Sequence, residues 1–407
     1  MGMARPLMTL CGVTALVLAP VSAGAQTTMT LSEALARARQ VAPQIVSARL
    51  AIDEARARVV GADLRVQTNP ELDLGIGRRR GLTNSTADFE ITATQMFGAA
   101  GRQDARRSSA IAGVDRSTAQ LDEMTQAVLR DVAVAFYRVI HFDQRIALLT
   151  TTEALATTIY QSADRRFRAG DIAVLDVNLT RAALARVRSD RQAAAADRLA
   201  ALASLRQFLQ IGPDVQLQGD LTSLPPVDRV ALLELALQRP EIRVFEASIR
   251  ETEADRLFAQ TFARPDFGLG ISFKQEEGDR VLGGVVKLTL PFFSKGQELH
   301  AASTVRVSRL RLELEAARSR IQLEVESAIA VFERRRDAVQ LLLTEALPGL
   351  DENEQLAARS FDAGQIGLPD LLLIRRELLE TRFQYLNALL EAALARVDID
   401  AAVGVIR

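Results

Sequence analysis

The sequence predicts an α+β chain made of two copies of one strand–helix unit, able to enter a membrane only through its β-strands. Three observations predict this. Motifs recur about 195 residues apart, as at Pro70 and Pro265. Each copy holds a pair of runs in which apolar residues alternate with small or polar ones. Each copy also holds helical stretches too long for a compact domain.

The repeat comes first, because a missed repeat distorts every later assignment. Leu31-Ser-Glu-Ala-Leu-Ala before Pro43-Gln-Ile45 matches Leu232-Leu-Glu-Leu-Ala-Leu before Pro240-Glu-Ile242. Asn69-Pro-Glu-Leu-Asp-Leu-Gly-Ile76 matches Arg264-Pro-Asp-Phe-Gly-Leu-Gly-Ile271, and Gln95-Met-Phe-Gly-Ala-Ala-Gly101 matches Leu290-Pro-Phe-Phe-Ser-Lys-Gly296. Phe167-Arg-Ala-Gly-Asp-Ile172 matches Phe361-Asp-Ala-Gly-Gln-Ile366, with Asp176 and Asp370 equally far beyond the glycine. Pro225-Pro226 marks the seam, which divides the chain into a leader (1–25), a first repeat (26–226) and a second (227–407).

The leader has the parts of a signal peptide: Arg5, an apolar run from Leu7 to Leu18, and Ala23-Gly24-Ala25 before Gln26. The single cysteine, Cys11, lies inside it, so cleavage after Ala25 leaves a chain with neither disulfides nor cysteine metal sites. Beyond the leader, charges interrupt every apolar run well before the roughly 18 residues of a membrane helix. A mature chain in a bilayer must therefore cross it as β-structure.

Composition agrees with long helices. There is no Trp, aromatics are 5%, and the 25% of charged residues leaves a net charge of -1, which gives no reason to expect nucleic acid. The first copy's strands are expected at Glu71–Arg78 and Asp88–Phe97. Leu72, Leu74 and Ile76 form one apolar face there. In the second copy Phe267, Leu269, Ile271 and Phe273 do the same, followed less cleanly by Val286, Leu288 and Leu290. Such a face suits lipid, and it equally suits a half-buried sheet in a soluble protein. Short helices are expected near Leu31–Ala62 and Ala231–Phe262. From Arg102 to Arg166 no proline interrupts, a reach of about 100 Å as helix. Val128, Val132, Ala135, Val139, Phe142, Ile146 and Leu149 step 4,3,4,3,4,3, and Leu379, Phe383, Leu386, Leu390, Ala393 and Val397 step likewise. That spacing keeps an apolar seam against a partner helix. Four strands cannot close a barrel and an open edge cannot face lipid, so several chains must pool their strands.

These motifs resemble the TolC family of outer-membrane efflux proteins. The carriers are the duplicated units around Pro70 and Pro265, the Phe-x-x-Gly turns at Gly170 and Gly364, and Gly364-Gln-Ile-Gly-Leu-Pro-Asp370-Leu-Leu followed by Arg382-Phe-Gln-Tyr385-Leu. The similarity covers the mature chain and leans towards the branch serving heavy-metal efflux of the cobalt–zinc–cadmium type. The resemblance implies a homotrimer in the outer membrane that extends into the periplasm. Its twelve strands would form one β-barrel and its helices a periplasmic coiled-coil tunnel. A periplasmic adaptor (membrane fusion) protein and an inner-membrane pump of the RND type or similar would dock below. Two features depart from the family. Leu10 precedes Cys11 where a lipoprotein signal has a small residue, and Leu373 stands where a second acid would join Asp370 in an acidic ring.

On this reading Phe167, Gly170, Phe361 and Gly364 form the periplasmic tip that meets the adaptor, although plain turn chemistry explains the glycines too. Asp176 and Asp370 open the returning helices. There they either complement the helix dipole or line a gated mouth, with Arg375, Arg376 and Arg181 as partners. Leu72, Leu74, Ile76, Phe267, Leu269 and Ile271 would face lipid. His141 and His300 are the only histidines and sit in different copies, so no metal centre, no cofactor site and no catalytic triad is expected. The expected function is a passive exit duct for metal ions or small toxic compounds, not an enzyme. A type I protein-secretion exit channel would use the same architecture, and a soluble periplasmic coiled-coil scaffold is the reading from another class.

Overall fold

The computed structural model describes residues 28–80, 85–212, 215–276 and 278–406. The signal segment 1–25 lies outside the described residues.

A short strand, β1 (Thr28–Thr30), leads into α1 (Leu31–Val41). Thr30 caps this helix: its backbone N–H donates to Glu33 Oε2 (2.8 Å) and its Oγ1 accepts from the Glu33 N–H (3.4 Å). After α2 (Pro43–Ala62) the chain enters β2 (Glu71–Arg80) and β3 (Ser85–Phe97), then the long helices α3 (Arg102–Arg168) and α4 (Val174–Leu209). The strand β4 (Gln216–Gln218) pairs in parallel with β1.

The same order follows again. Asp228 Oδ1 accepts from the N–H groups of Val230 (3.0 Å) and Ala231 (3.3 Å), which caps α5 (Arg229–Ala236). Next come α6 (Pro240–Gln260), β5 (Asp266–Glu276), β6 (Asp279–Thr289) and α7 (Gln297–Leu341). One π-helical stretch, Leu342–Ala346, joins α7 to α8 (Leu347–Asp362), and α9 (Leu368–Val403) returns.

The expected short helices at 31–62 and 231–262 are thus each two. Pro43 and Pro240 lack the N–H an unbroken helix would use, and each serves as the first residue of a new helix. The core sits where α1, α3, α4 and α9 meet beside the β1–β4 pair, around Leu35, Leu129, Phe136, Leu205, Leu209 and Ala392. A second cluster joins α6, α7 and α9 through Ile321, Phe332 and Ile399. Truncating a buried Phe in such a core costs about 3–5 kcal/mol.

The seam expected along α3 is buried at Val128, Val132, Ala135, Val139 and Leu149, with Phe142 and Ile146 half-buried. In α9 the expected seam is buried at Ala393 and Val397, but nearer the start of the helix the phase differs. Leu371, Leu378, Leu389 and Ala392 are buried, while Leu379, Phe383, Leu386 and Leu390 are half-buried.

Among the described residues no helix is long and apolar enough to cross a membrane.

Candidate functional site

The four-stranded sheet runs in the order β2-β3-β5-β6, antiparallel throughout. Its register sorts the side chains into two faces, because residues directly opposite in a pair share a face. Leu72, Leu74 and Ile76 stand opposite Ala93, Ile91 and Phe89. Gln95, Ala93 and Ile91 stand opposite Leu269, Ile271 and Phe273. Phe267, Leu269 and Phe273 stand opposite Leu288, Val286 and Leu282. The six residues expected to face lipid therefore share one apolar surface with Phe89, Ile91, Phe273, Val286 and Leu288. Most of its members are exposed in the protomer, Ile76 to 84%, while Ile91 and Phe273 are half-buried. Ten residues of strand reach about 33 Å, or about 25 Å at a tilt near 40°, the height of a membrane apolar band.

The other face carries Asp73, Glu90, Thr92, Thr94, Ser272 and Lys274, with glycines between them. Lys274 pairs with Glu90 at 2.9 Å. Lys287 on β6 pairs with Glu71 on β2 at 3.0 Å, although β3 and β5 separate those strands. In a flat sheet they would lie about 14 Å apart. They meet because the sheet curls with this polar face inside. Gly270 permits the curl: a Cβ there would overlap the Ala93 carbonyl and crowd Thr94 Oγ1.

At the far end of the molecule two turns have the same construction. The N–H of Asp171 donates to Arg166 O (2.9 Å) and that of Gly170 to Phe167 O (2.9 Å). In the second copy Gln365 donates to Ser360 O (2.8 Å) and Gly364 to Phe361 O (3.0 Å). Both are Schellman closures, with Gly170 at φ 85° and Gly364 at φ 71°. Phe167 is 41% exposed, and Phe361 is half-buried.

Beyond each turn the first-turn acids differ. Asp370 Oδ2 accepts the Gly367 N–H at 3.2 Å, tying the carboxylate to its own helix start. Asp176 makes no ion pair among the described residues.

The arginines suggested as partners do not meet these acids within the protomer. Arg375 turns to Glu354 (3.7 Å), and burial lowers its pKa while Glu354 pulls the other way. Arg181 reaches the Tyr160 hydroxyl (3.4 Å) and stands over its ring. Arg376 makes no ion pair among the described residues. The reason is helical: residues five or six apart point about 120–140° away from each other. Arg375 and Arg376 also line a groove of about 670 Å³ between α3, α4 and α9, with Leu155, Ile159, Leu179 and Leu373.

The two histidines lie apart. His141 is buried in α3 (3% exposed) against Phe142, and His300 on α7 lies 3.4 Å from Gln260. Among the described residues no three His, Cys, Asp or Glu side chains gather as a metal-holding group.

Residues 31–209 match the model of the outer membrane efflux protein family. The cobalt-zinc-cadmium resistance protein CzcC of Cupriavidus metallidurans is 25% identical over 386 residues, covering 92% of this chain and 90% of that protein. The chain is thus similar to outer membrane efflux proteins, by the family pattern over residues 31–209 and by its likeness to CzcC over most of its length. It is an outer-membrane efflux channel subunit extending into the periplasm, and not an enzyme. Solved channels share its fold. The CusC channel superposes with a TM-score of 0.74 at 17% identity, covering 92% of each chain. The Campylobacter jejuni CmeC outer membrane channel does so at 0.74 and 14%, covering 98% of this efflux protein and 94% of CmeC. The Neisseria gonorrhoeae MtrE outer membrane channel does so at 0.72 and 19%, covering 92% and 89%.

Proposed function

We propose that three copies of this chain close one twelve-stranded barrel, forming the passive exit duct of a tripartite efflux system whose cargo is heavy-metal cations. The observation that carries the barrel is the pair of sheet edges. With four antiparallel strands, β2 and β6 run in opposite directions, so β6 of one copy can continue into β2 of the next as an ordinary antiparallel pair. Such a head-to-tail contact makes a ring when the rotation closes. It also removes every edge from lipid, as a bilayer demands. In this reading the repeats 26–226 and 227–407 each give two strands to the wall, and the Leu72–Ile76 and Phe267–Ile271 faces meet lipid. The tips at Phe167–Gly170 and Phe361–Gly364 meet the adaptor, below which sits an inner-membrane pump. Asp176, Asp370, Arg375 and Arg376 line the mouth, pairing between chains rather than within one. The cargo rests on the likeness to CzcC.

Membrane separation followed by light scattering in mild detergent tests the assembly. The expected result is outer-membrane partitioning with a protein mass about three times that of one chain. A soluble periplasmic monomer overturns the barrel. Deleting the gene should raise sensitivity to cobalt, zinc or cadmium salts, and unchanged sensitivity to all three overturns the cargo. Asp370→Ala should raise single-channel conductance in a planar bilayer; unchanged conductance and ion selectivity removes Asp370 from the mouth.

A further inference from the structure

We propose that Phe292 and Phe293 anchor the channel in the periplasm-side leaflet of the outer membrane. The inference rests on the reading that the apolar sheet face meets lipid. Phe293 is 93% exposed and Phe292 71%. They stand in the short link between β6 and α7, where the sheet ends and the helical body begins.

The exposure is built into the link. The Gln297 side chain clips it, with Oε1 accepting from the Lys295 N–H (2.6 Å) and Nε2 donating to the Phe293 carbonyl (2.9 Å). The Phe292 N–H donates to Leu290 O (2.9 Å). The backbone is therefore held in a shape that presents both rings outward.

Three features name lipid as the occupant. The rings continue the apolar surface of β6, which runs through Leu282, Val286 and Leu288 to Leu290. They lie at the strand end, the level where hydrocarbon gives way to headgroups and where barrels carry aromatic girdles. Lys295 follows within two residues, a cation of the sign that attracts phospholipid phosphate. Phenylalanine stands in here for the usual interfacial residues. The chain has no Trp, and Tyr137, Tyr160 and Tyr385 all lie in α3 and α9.

The first repeat lacks the device. Phe97 occupies the place of Phe292 but stacks on Phe267, with centroids 5.3 Å apart, and Gly98 occupies the place of Phe293. Each protomer thus offers one aromatic wedge, and a closed ring would carry them evenly spaced.

Because the chain has no Trp, each variant that gains one carries a single indole, which can be excited apart from the three tyrosines. Phe293→Trp, with Phe292→Trp as a second probe and Leu269→Trp as the sheet-face control, would be reconstituted as assembled channel into phosphatidylethanolamine–phosphatidylglycerol vesicles. The vesicles would contain lipids brominated either near the headgroup or deep in the acyl chain. The Phe293→Trp or Phe292→Trp channel should lose about half its emission to shallow bromines and less to deep ones, and the Leu269→Trp channel the reverse. Both link variants unquenched beside a quenched Leu269→Trp channel overturns the anchor and leaves the barrel, with a neighbouring chain covering the loop. All three unquenched overturns the lipid-facing sheet and the anchor together.

Discussion

The outgoing helices of the two repeats started as one design and now differ. In the first repeat α3 runs 67 residues without a break, about 100 Å. In the second, α7 stops after 45 residues and a π-helical stretch carries the chain into α8. Pro348 explains the joint: it cannot donate to the Thr344 carbonyl four residues back, so the preceding turn widens. None of the five π-helical residues is buried, so little packing holds that turn in place. A duplicated wall can thus stay rigid on one side and become jointed on the other through a single imino acid.

The same contrast runs through the strands, and there it can be broken most sharply. Gly270 and Gly75 occupy equivalent places in their repeats. A Cβ at Gly270 overlaps backbone, whereas one at Gly75 meets only the Glu90 Cβ at an ordinary 3.5 Å. Gly270→Val should therefore abolish assembly, a loss above about 4 kcal/mol, while Gly75→Ala should change stability by less than about 1 kcal/mol. Trimer yield from outer membranes, read by light scattering, distinguishes them. Equal yields from the two variants would mean that the curl is not set at Gly270.

Next in size is exchanging the helical joint. Ala154→Pro in α3 places a proline in a helix interior and should cost about 3 kcal/mol, read as a lower unfolding midpoint. Pro348→Ala should act in the opposite sense, slowing amide hydrogen exchange across 342–348 as the missing N–H returns. Exchange unchanged there would assign the π-turn to packing rather than to proline.

The smallest effect concerns His141. Burial lowers its affinity for a proton, a hydrogen bond to the Leu386 backbone pulls the other way, and Arg145 adds to the lowering. The unfolded chain takes up that proton near pH 6.5, so it binds more protons than the folded one just below that pH. Stability from this site is complete above about pH 6.5 and declines as pH falls through the lowered value, by at most about 1.4 kcal/mol per pH unit. Melting between neutral and mildly acidic buffer should show a slope that His141→Gln reduces. An identical slope in both proteins would place the titration elsewhere.

Much of this architecture was legible in the residues themselves. Alternation located all four strands and the apolar face of Leu72–Ile76 and Phe267–Ile271, because a pleated strand has one strict period. The paired Phe-x-x-Gly motifs located both tip turns, because only glycine adopts positive φ there without strain. The β1–β4 pair was not legible: Thr28–Thr30 and Gln216–Gln218 lie far apart in sequence, and three residues carry no period. The seam of α9 was legible at Ala393 and Val397 but misphased before them, because leucines stand side by side at 371–373, 378–379 and 389–390, and only packing selects among them. The joint was signalled by Pro348 but hidden by the helical pattern on either side. The charge partners of Asp176 and Asp370 were suggested by nearness in sequence, which a helix of 3.6 residues per turn turns aside.

The two unpaired edges of the sheet have a consequence for inheritance. In the proposed ring each chain must satisfy a neighbour on both sides, β2 to the left and β6 to the right, so no chain completes its own wall. A subunit altered at either edge spoils every ring it joins, including those made mostly of sound copies. Edge-strand variants should therefore be dominant over the normal allele, whereas loss of the whole chain should be recessive.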